Sequence, residues 1–207
     1  MARPYTIATH LQYFNTPLAD FIAARPEFES FGVGGYIFSQ DESATPRVLL
    51  LQRALTDSMP GCWEGPGGAF EPGIDGTLLD GVAREVLEET GLHVSRVVEL
   101  VAVDSWTHTR RNGSKFRIAK YSFVVEVYES VRQSDAQPVP GEEMPVQLMA
   151  SEHRAFDWAT EEDVRHSLDG DGKYQLPRPS TGHQALNILR SFELYRELRR
   201  GASAEFN

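Results

Sequence analysis

Gly67-Gly68-Ala69-Phe70-Glu71-Pro72-Gly73, and beyond it Arg84-Glu85-Val86-Leu87-Glu88-Glu89-Thr90-Gly91-Leu92, are the most informative residues of the sequence. Met59 to Gly76 is too dense in glycine and proline for a regular element. A helix follows from about Thr77 to Thr90, and Gly91 stops it in the left-handed position that glycine tolerates best. At about 100° per residue, Glu85, Glu88 and Glu89 fall within roughly 100° of one another in the last two turns. Leu78, Leu79, Val82 and Val86 occupy a neighbouring arc that faces a core. Gly81 projects between Glu85 and Glu88, and its missing side chain leaves room beside the carboxylates. Three acids at the C-terminal end of a helix oppose its dipole and repel one another, each effect costing on the order of 0.3–1 kcal/mol. A multivalent cation reverses that sign, and magnesium favours such hard oxygens together with water and substrate phosphates.

On either side of this stretch the pattern changes. Gly34–Phe38 and Val48–Gln52 read as two strands of a hairpin. Val97–Trp106 and Phe116–Val127 read as longer strands, joined through a polar turn with Asn112-Gly113 at its tip. Ser130–Glu143 is loop by composition, while Gln147–Met149 and Ala155–Trp158 read as short strands. Thr160 caps a helix to about Ser167, with Asp163 completing a near capping box. Gly182–Arg200 reads as a helix with Leu186, Leu189, Phe192, Leu194 and Leu198 roughly on one face. Residues 1–31 form an N-terminal elaboration, extended over Tyr5–Phe14 and then helical from Pro17 until Pro26 stops it. Residues 32–207 form one α+β domain, a sheet covered by helices.

Composition narrows the function. The chain has 207 residues, 41% apolar and 24% charged, as a globular domain does. Thirty acidic against 20 basic residues leave a net charge of −10, a field that repels a nucleic-acid backbone. The single cysteine, Cys62, excludes an internal disulfide and a cysteine-based zinc site. With no long apolar run and no secretory leader in MARPYTIATHLQYF, the expectation is a cytoplasmic protein without a membrane partner.

The glycine loop and the Arg84–Leu92 helix end resemble the Nudix hydrolase signature: a glycine, five residues, a glutamate, seven residues, then Arg-Glu-apolar-any-Glu-Glu-any-Gly-apolar. Arg84 to Leu92 match the second half throughout, and Gly68 matches the first glycine. Ile74 stands where the glutamate is expected, and the gap from there to Arg84 is nine residues. Asp75, the nearest acid, is expected to stand in for that glutamate by capping the helix.

The resemblance implies a Nudix-like α/β/α sandwich with a mixed sheet, and hydrolysis of the diphosphate linkage in a nucleoside diphosphate derivative. It implies Mg2+ as cofactor, with Mn2+ as substitute, held by Glu85, Glu88, Glu89 and the carbonyl of Gly68. Arg84 is expected to orient Glu88. Glu152 resembles the further carboxylate that accepts the proton of the attacking water, with Glu142 and Glu143 as rivals. Arg53 resembles an arginine that reaches substrate phosphate in some relatives. Two alternatives stay open, an enzyme turned to an organic or prenyl diphosphate and a binding module without chemistry. A homodimer in which the N-terminal residues take part is also compatible.

The remaining residues have plainer readings. His153 has no zinc spacing and needs no special role. Trp63 and Trp158 read as packing residues. The segment Trp106–Arg117 is basic in an acidic chain, so Arg110, Arg111 and Lys115 are candidates for substrate phosphate, with Trp106 or Phe116 stacking on a ring. Charge that protects an edge hairpin explains the same residues.

Overall fold

The computed structural model describes residues 3–40, 45–56, 59–110, 112–131, 137–177 and 182–204. In chain order come β1 (Thr6–Ile7), a 3-10 helix (Thr9–Asn15), α1 (Leu18–Ala23), β2 (Ser30–Gln40), β3 (Pro46–Arg53) and β4 (Trp63–Glu64). They are followed by α2 (Leu78–Thr90), β5 (Val94–Thr109), β6 (Lys115–Val127), β7 (His153–Thr160), α3 (Glu161–Leu168) and α4 (Gln184–Ala204). The strands lie in the order β1-β5-β6-β2-β3-β4, and β7 pairs with β3. β1–β5 and β2–β6 are parallel and the other pairs antiparallel, so the sheet is mixed and the class α+β as expected.

Two apolar layers cover the sheet. On one face α2 packs with the N-terminal elements, burying Leu78, Val82 and Val86 together with Leu11, Phe21, Phe31 and Phe123. On the other, α4 and α3 bury Ile188, Phe192 and Val164 against Tyr36, Leu50 and Val124. The seat of α2 is set at Gly35, where an added Cβ would lie 2.9 Å from the Val86 side chain. The first residues are therefore part of the main core: Phe21 is 1% exposed and touches Phe31 and Tyr121 edge-on.

Three expectations need correction. Tyr5–Phe14 is not extended throughout: only Thr6 and Ile7 find a strand partner, at Arg96 and Val97. After Ala8 the chain turns into the 3-10 helix that drops Leu11 into the core. Gln147–Met149 is not a strand, because the Gln147 N–H donates to the Thr90 carbonyl at the end of α2 (2.8 Å) and leaves the segment no sheet neighbour. In α4, Leu186 faces solvent (54% exposed). Gln184 and Asn187 turn inward to Lys120 and Asp104, so that Ala185, Ile188 and Phe192 form the buried face.

Candidate active site

Helix α2 begins with a capping box that does not involve Asp75. The Thr77 hydroxyl accepts from the Asp80 N–H (3.2 Å), and the Asp80 carboxylate accepts from the Thr77 N–H (2.9 Å). This corrects the capping role given to Asp75, since a serine or threonine with an acid three residues on already satisfies both donors. Asp75 instead takes Arg84 as a two-point partner, accepting from Nε at 2.9 Å and Nη2 at 3.0 Å. It also accepts the Glu71 N–H at 2.7 Å. Its carboxylate fills the space over Gly81, where an added Cβ would meet Oδ2 at 3.1 Å, so the room read at Gly81 belongs to Asp75. Ile74 points outward, 67% exposed.

Arg84 spreads its guanidinium over the whole site. Besides Asp75, it donates to Glu85 Oε1 (2.9 Å), Glu88 Oε2 (3.0 Å) and the Ala69 carbonyl (2.9 Å). These anions, Asp75 first, hold the arginine firmly charged. One side chain thus ties the glycine loop, the start of α2 and its last two turns together.

The three acids of α2 sit at different depths. Glu88 is exposed, whereas Glu85 and Glu89 are buried at 7% and 3% exposure. A Cβ on Gly68 would fall 2.7 Å from both Glu85 carboxylate oxygens, which is why the loop needs glycine there. Burial raises the Glu85 pKa above the ordinary value, against the pull of Arg84, and the charges of Glu88 and Glu152 add to the rise. Burial also pushes Glu89 up to about 8, although the Gly67 N–H donates to its Oε2 at 2.7 Å. Glu89, Glu152 and His153 bring possible ligand atoms within 4.8 Å of one another, with His153 Nδ1 3.9 Å from Glu89 Oε1.

Crowded, partly buried carboxylates with raised pKa values are the donor set that a hard divalent cation stabilises, so the residues present fit such an ion. The Gly68 carbonyl accepts the Val33 N–H at 2.9 Å, which leaves it a second lone pair.

The remaining candidates lie apart or hold other partners. Arg53, at the end of β3, forms an ion pair with the buried Glu64. Arg110 lies at the tip of the β5–β6 hairpin with its guanidinium 4.0 Å from the centre of the Phe116 ring, and Arg111 lies outside the described residues. That tip projects beyond Ile118, where pairing of β6 with β2 begins. Glu142 and Glu143 form an exposed 3-10 turn outside the acidic cluster. Trp63 packs edge-on against Tyr174, and Trp158 is buried under Gly141.

Two residues near the carboxylates were not readable as such. His153 is 2% exposed beside Glu89, and its only sequence signal is adjacency to Glu152. Lys120 lies across Gly32 and Gly34, bonds Gln184 Oε1 at 3.2 Å and is close enough to lower the Glu89 pKa. Its sequence signal is a lysine between Ala119 and Tyr121, at the start of the apolar run of β6.

Comparison with known proteins establishes the family. The model of the NUDIX domain matches residues 30–178, and the chain belongs to the Nudix hydrolase family. A MutT-like protein of Streptomyces ambofaciens is 32% identical over 175 residues, 75% of this chain and 92% of that one. The human m7GpppN-mRNA hydrolase NUDT17 is 31% identical over 121 residues, covering 58% of this chain and only 35% of the human protein. Among solved structures, the NUDIX domain of Shewanella oneidensis NrtR complexed with ADP ribose superposes with a TM-score of 0.56. That match has 16% identity and covers 86% of this chain and 97% of the domain, a likeness of fold.

Proposed function

We propose that this chain hydrolyses the diphosphate linkage of a nucleoside diphosphate derivative with Mg2+, or Mn2+ in its place. The observation that carries the reading is the convergence of Glu85, Glu88, Glu89 and Glu152 beside Gly68, with Arg84 bonded to two of them. Glu85, Glu88, Glu89 and the Gly68 carbonyl are the groups that would hold the cations. When bound, such ions neutralise the diphosphate and make a water acidic enough to attack phosphorus in line. Glu152, exposed at the edge of the cluster, accepts the proton of that water. Arg84 does not touch substrate; it fixes the Glu85 and Glu88 carboxylates while Asp75 fixes Arg84. Lys120 supplies positive charge beside Glu89.

Arg110 and Arg111 meet a substrate phosphate outside the cluster. A contact of that kind acts on ground state and transition state alike, so its loss raises KM and leaves kcat unchanged.

The test is a panel of ADP-ribose, nucleotide sugars, dinucleotides, nucleoside triphosphates and prenyl diphosphates with Mg2+, read by released phosphate or monophosphate. The NrtR domain was solved with ADP ribose, which is why that compound leads the panel. Turnover of a nucleoside diphosphate derivative, lost in EDTA, is the expected result. Glu88→Gln and Glu89→Gln should each lower kcat at least about a hundredfold, on the order of 3 kcal/mol. Turnover in excess EDTA, or near-native rates in both variants, contradicts the assignment.

A further inference from the structure

Between Ser105 and Val125 the hairpin of β5 and β6 carries Arg110, Arg111, Lys115, Arg117 and Lys120 and no acid, in a chain whose net charge is −10. Strand register sorts the described ones onto two faces. From Ala102↔Ser122 to Thr109↔Lys115 the two strands pair without a shift. Directly opposed residues of antiparallel strands share a face, and successive residues alternate. Lys120 therefore shares a face with Asp104, Ile118 with Trp106, and Phe116 with His108. Arg110 joins them, its guanidinium 4.0 Å from the centre of the Phe116 ring. This is the α4 face, because Lys120 bonds Gln184 and Asp104 bonds Asn187. Arg117 belongs to the other face, where it lies over the Phe28 ring at 4.8 Å.

The inner end of this row reaches the acidic site. Lys120 stands opposite Gly32 in the pairing of β6 with β2. A Cβ on Gly32 would lie 3.3 Å from Lys120 Cγ and 3.4 Å from the Gly68 carbonyl oxygen, so the lysine and that carbonyl flank one glycine. From there Trp106 with Ile118, His108 with Phe116, and Arg110 follow one another outward. Two residues of a strand advance about 7 Å, so a cation stands at each end of the row and rings stand between. Trp106 is half-buried and His108 and Arg110 are exposed, so all three have surface to offer. Asp104, the acid on this face, is buried and bonded to Asn187. Charge alone would protect a hairpin edge; rings in register with the cations on one face suit a ligand that is both flat and anionic. Proteins hold single strands in this way, with cations that follow the backbone and with aromatic rings or arginine planes on which bases stack.

From this row of cations and rings running out from Gly68, we infer that the α4 face of the β5–β6 hairpin is a track for a single-stranded oligonucleotide whose 5′-linked diphosphate lies at the acidic site. The inference rests on the proposed hydrolysis for the place of the diphosphate, and it narrows the substrate to a diphosphate that carries a nucleotide chain. Lys120 meets the phosphate next to the diphosphate, a base stacks on Trp106, and Arg110 holds the strand further out. The acidic charge of the rest of the molecule confines the strand to this face.

Two measurements separate the track from the hydrolysis. The first is NMR of the full chain in EDTA at physiological ionic strength, titrated with 5′-phosphorylated tetrauridylate. Saturable shifts are expected at the Trp106 indole N–H and at the His108 and Arg110 amides, with the Trp63 and Trp158 indoles unmoved. Trp106→Ala and Arg110→Ala should each weaken binding about tenfold, the worth of one stacked base or of a phosphate held by arginine. Arg117→Gln removes the same charge from the other face and should weaken binding less than about twofold. Arg110 lies at the surface, so its variant decides if Trp106→Ala does not fold. Absence of saturable shifts in the wild type, or an equal loss in Arg117→Gln and Arg110→Ala, overturns the inference. The second measurement is steady-state kinetics with Mg2+ on GpppA and on GpppApUpUpU. The tail should lower KM about tenfold, an advantage that Arg110→Ala removes. Equal KM for the two compounds overturns the track and leaves the hydrolytic reading standing. Binding of tetrauridylate at Trp106 with neither compound turned over sustains the track and counts against the hydrolytic reading instead.

Discussion

Asp75 shows how a single residue can hold a site it does not touch. Its carboxylate joins the loop through the Glu71 N–H, the helix through Arg84 and the helix surface through the space over Gly81. Asp75→Asn leaves Arg84 facing an amide in a pair whose side chains are 2% and 13% exposed. Loss of one partner from a buried pair costs about 3 kcal/mol, and denaturant unfolding should show a loss of that order. Because Arg84 also holds Glu88, kcat should fall by about tenfold or more, as supporting residues around metal ligands typically show. An unchanged midpoint with unchanged kcat would mean that the pair is ornamental. Glu89 makes stability depend on pH. Its folded pKa of about 8 exceeds the ordinary 4.5, so within that window the folded chain keeps a proton that the unfolded chain has released. Stability from this group is complete below about 4.5 and is lost as pH rises through 8. In chelator the melting temperature should therefore fall as pH rises across that window, and Mn2+ should reverse the fall. A melting temperature that rises with pH in chelator contradicts the assignment.

Helix α2 is the element on which sequence and structure can be compared most closely. Its C-terminal end is legible because local chemistry sets it: Gly91 adopts a φ of 70°, and Arg84 to Leu92 carry their own pattern. Its start was misassigned to Asp75, since nothing along the chain says that Thr77 and Asp80 satisfy each other while Asp75 turns back to Arg84. Thr77→Ala should cost about 1 kcal/mol of stability, as lost caps do, with kcat and KM unchanged. A tenfold loss of kcat there would show that the cap, and not Asp75, sets the carboxylates. The same division runs through the other elements. Strands β5 and β6 follow from apolar runs on either side of the Asn112-Gly113 turn, and the capping box of α3 from Thr160 and Asp163, all of them local signals. The burial of His153, the partnering of Arg53 by Glu64 and the outward turn of Leu186 depend on which distant elements meet, and no spacing encodes that.

For the molecule as a whole, the first residues belong to the core on which the site is built. Leu11 and Phe21 are almost fully buried beside Phe31, Tyr121 and Phe123, the floor under β2 and β6. Removing residues 1–29 uncovers those rings, each worth about 1.5–3 kcal/mol when buried, which amounts to much of the stability of an ordinary domain. The truncated chain should lack a cooperative thermal transition; a transition like that of the full chain would make the segment dispensable. No helix among the described residues is long and apolar enough to cross a membrane. In the proposed function the acids of α2 hold the divalent cation, and electron paramagnetic resonance of Mn2+ titrated into the chain without substrate reads that binding itself. Saturable binding that Mg2+ competes away, and that Glu85→Gln and Glu89→Gln each weaken at least tenfold, is the predicted result. Binding of equal affinity in the wild type and in both variants would contradict it.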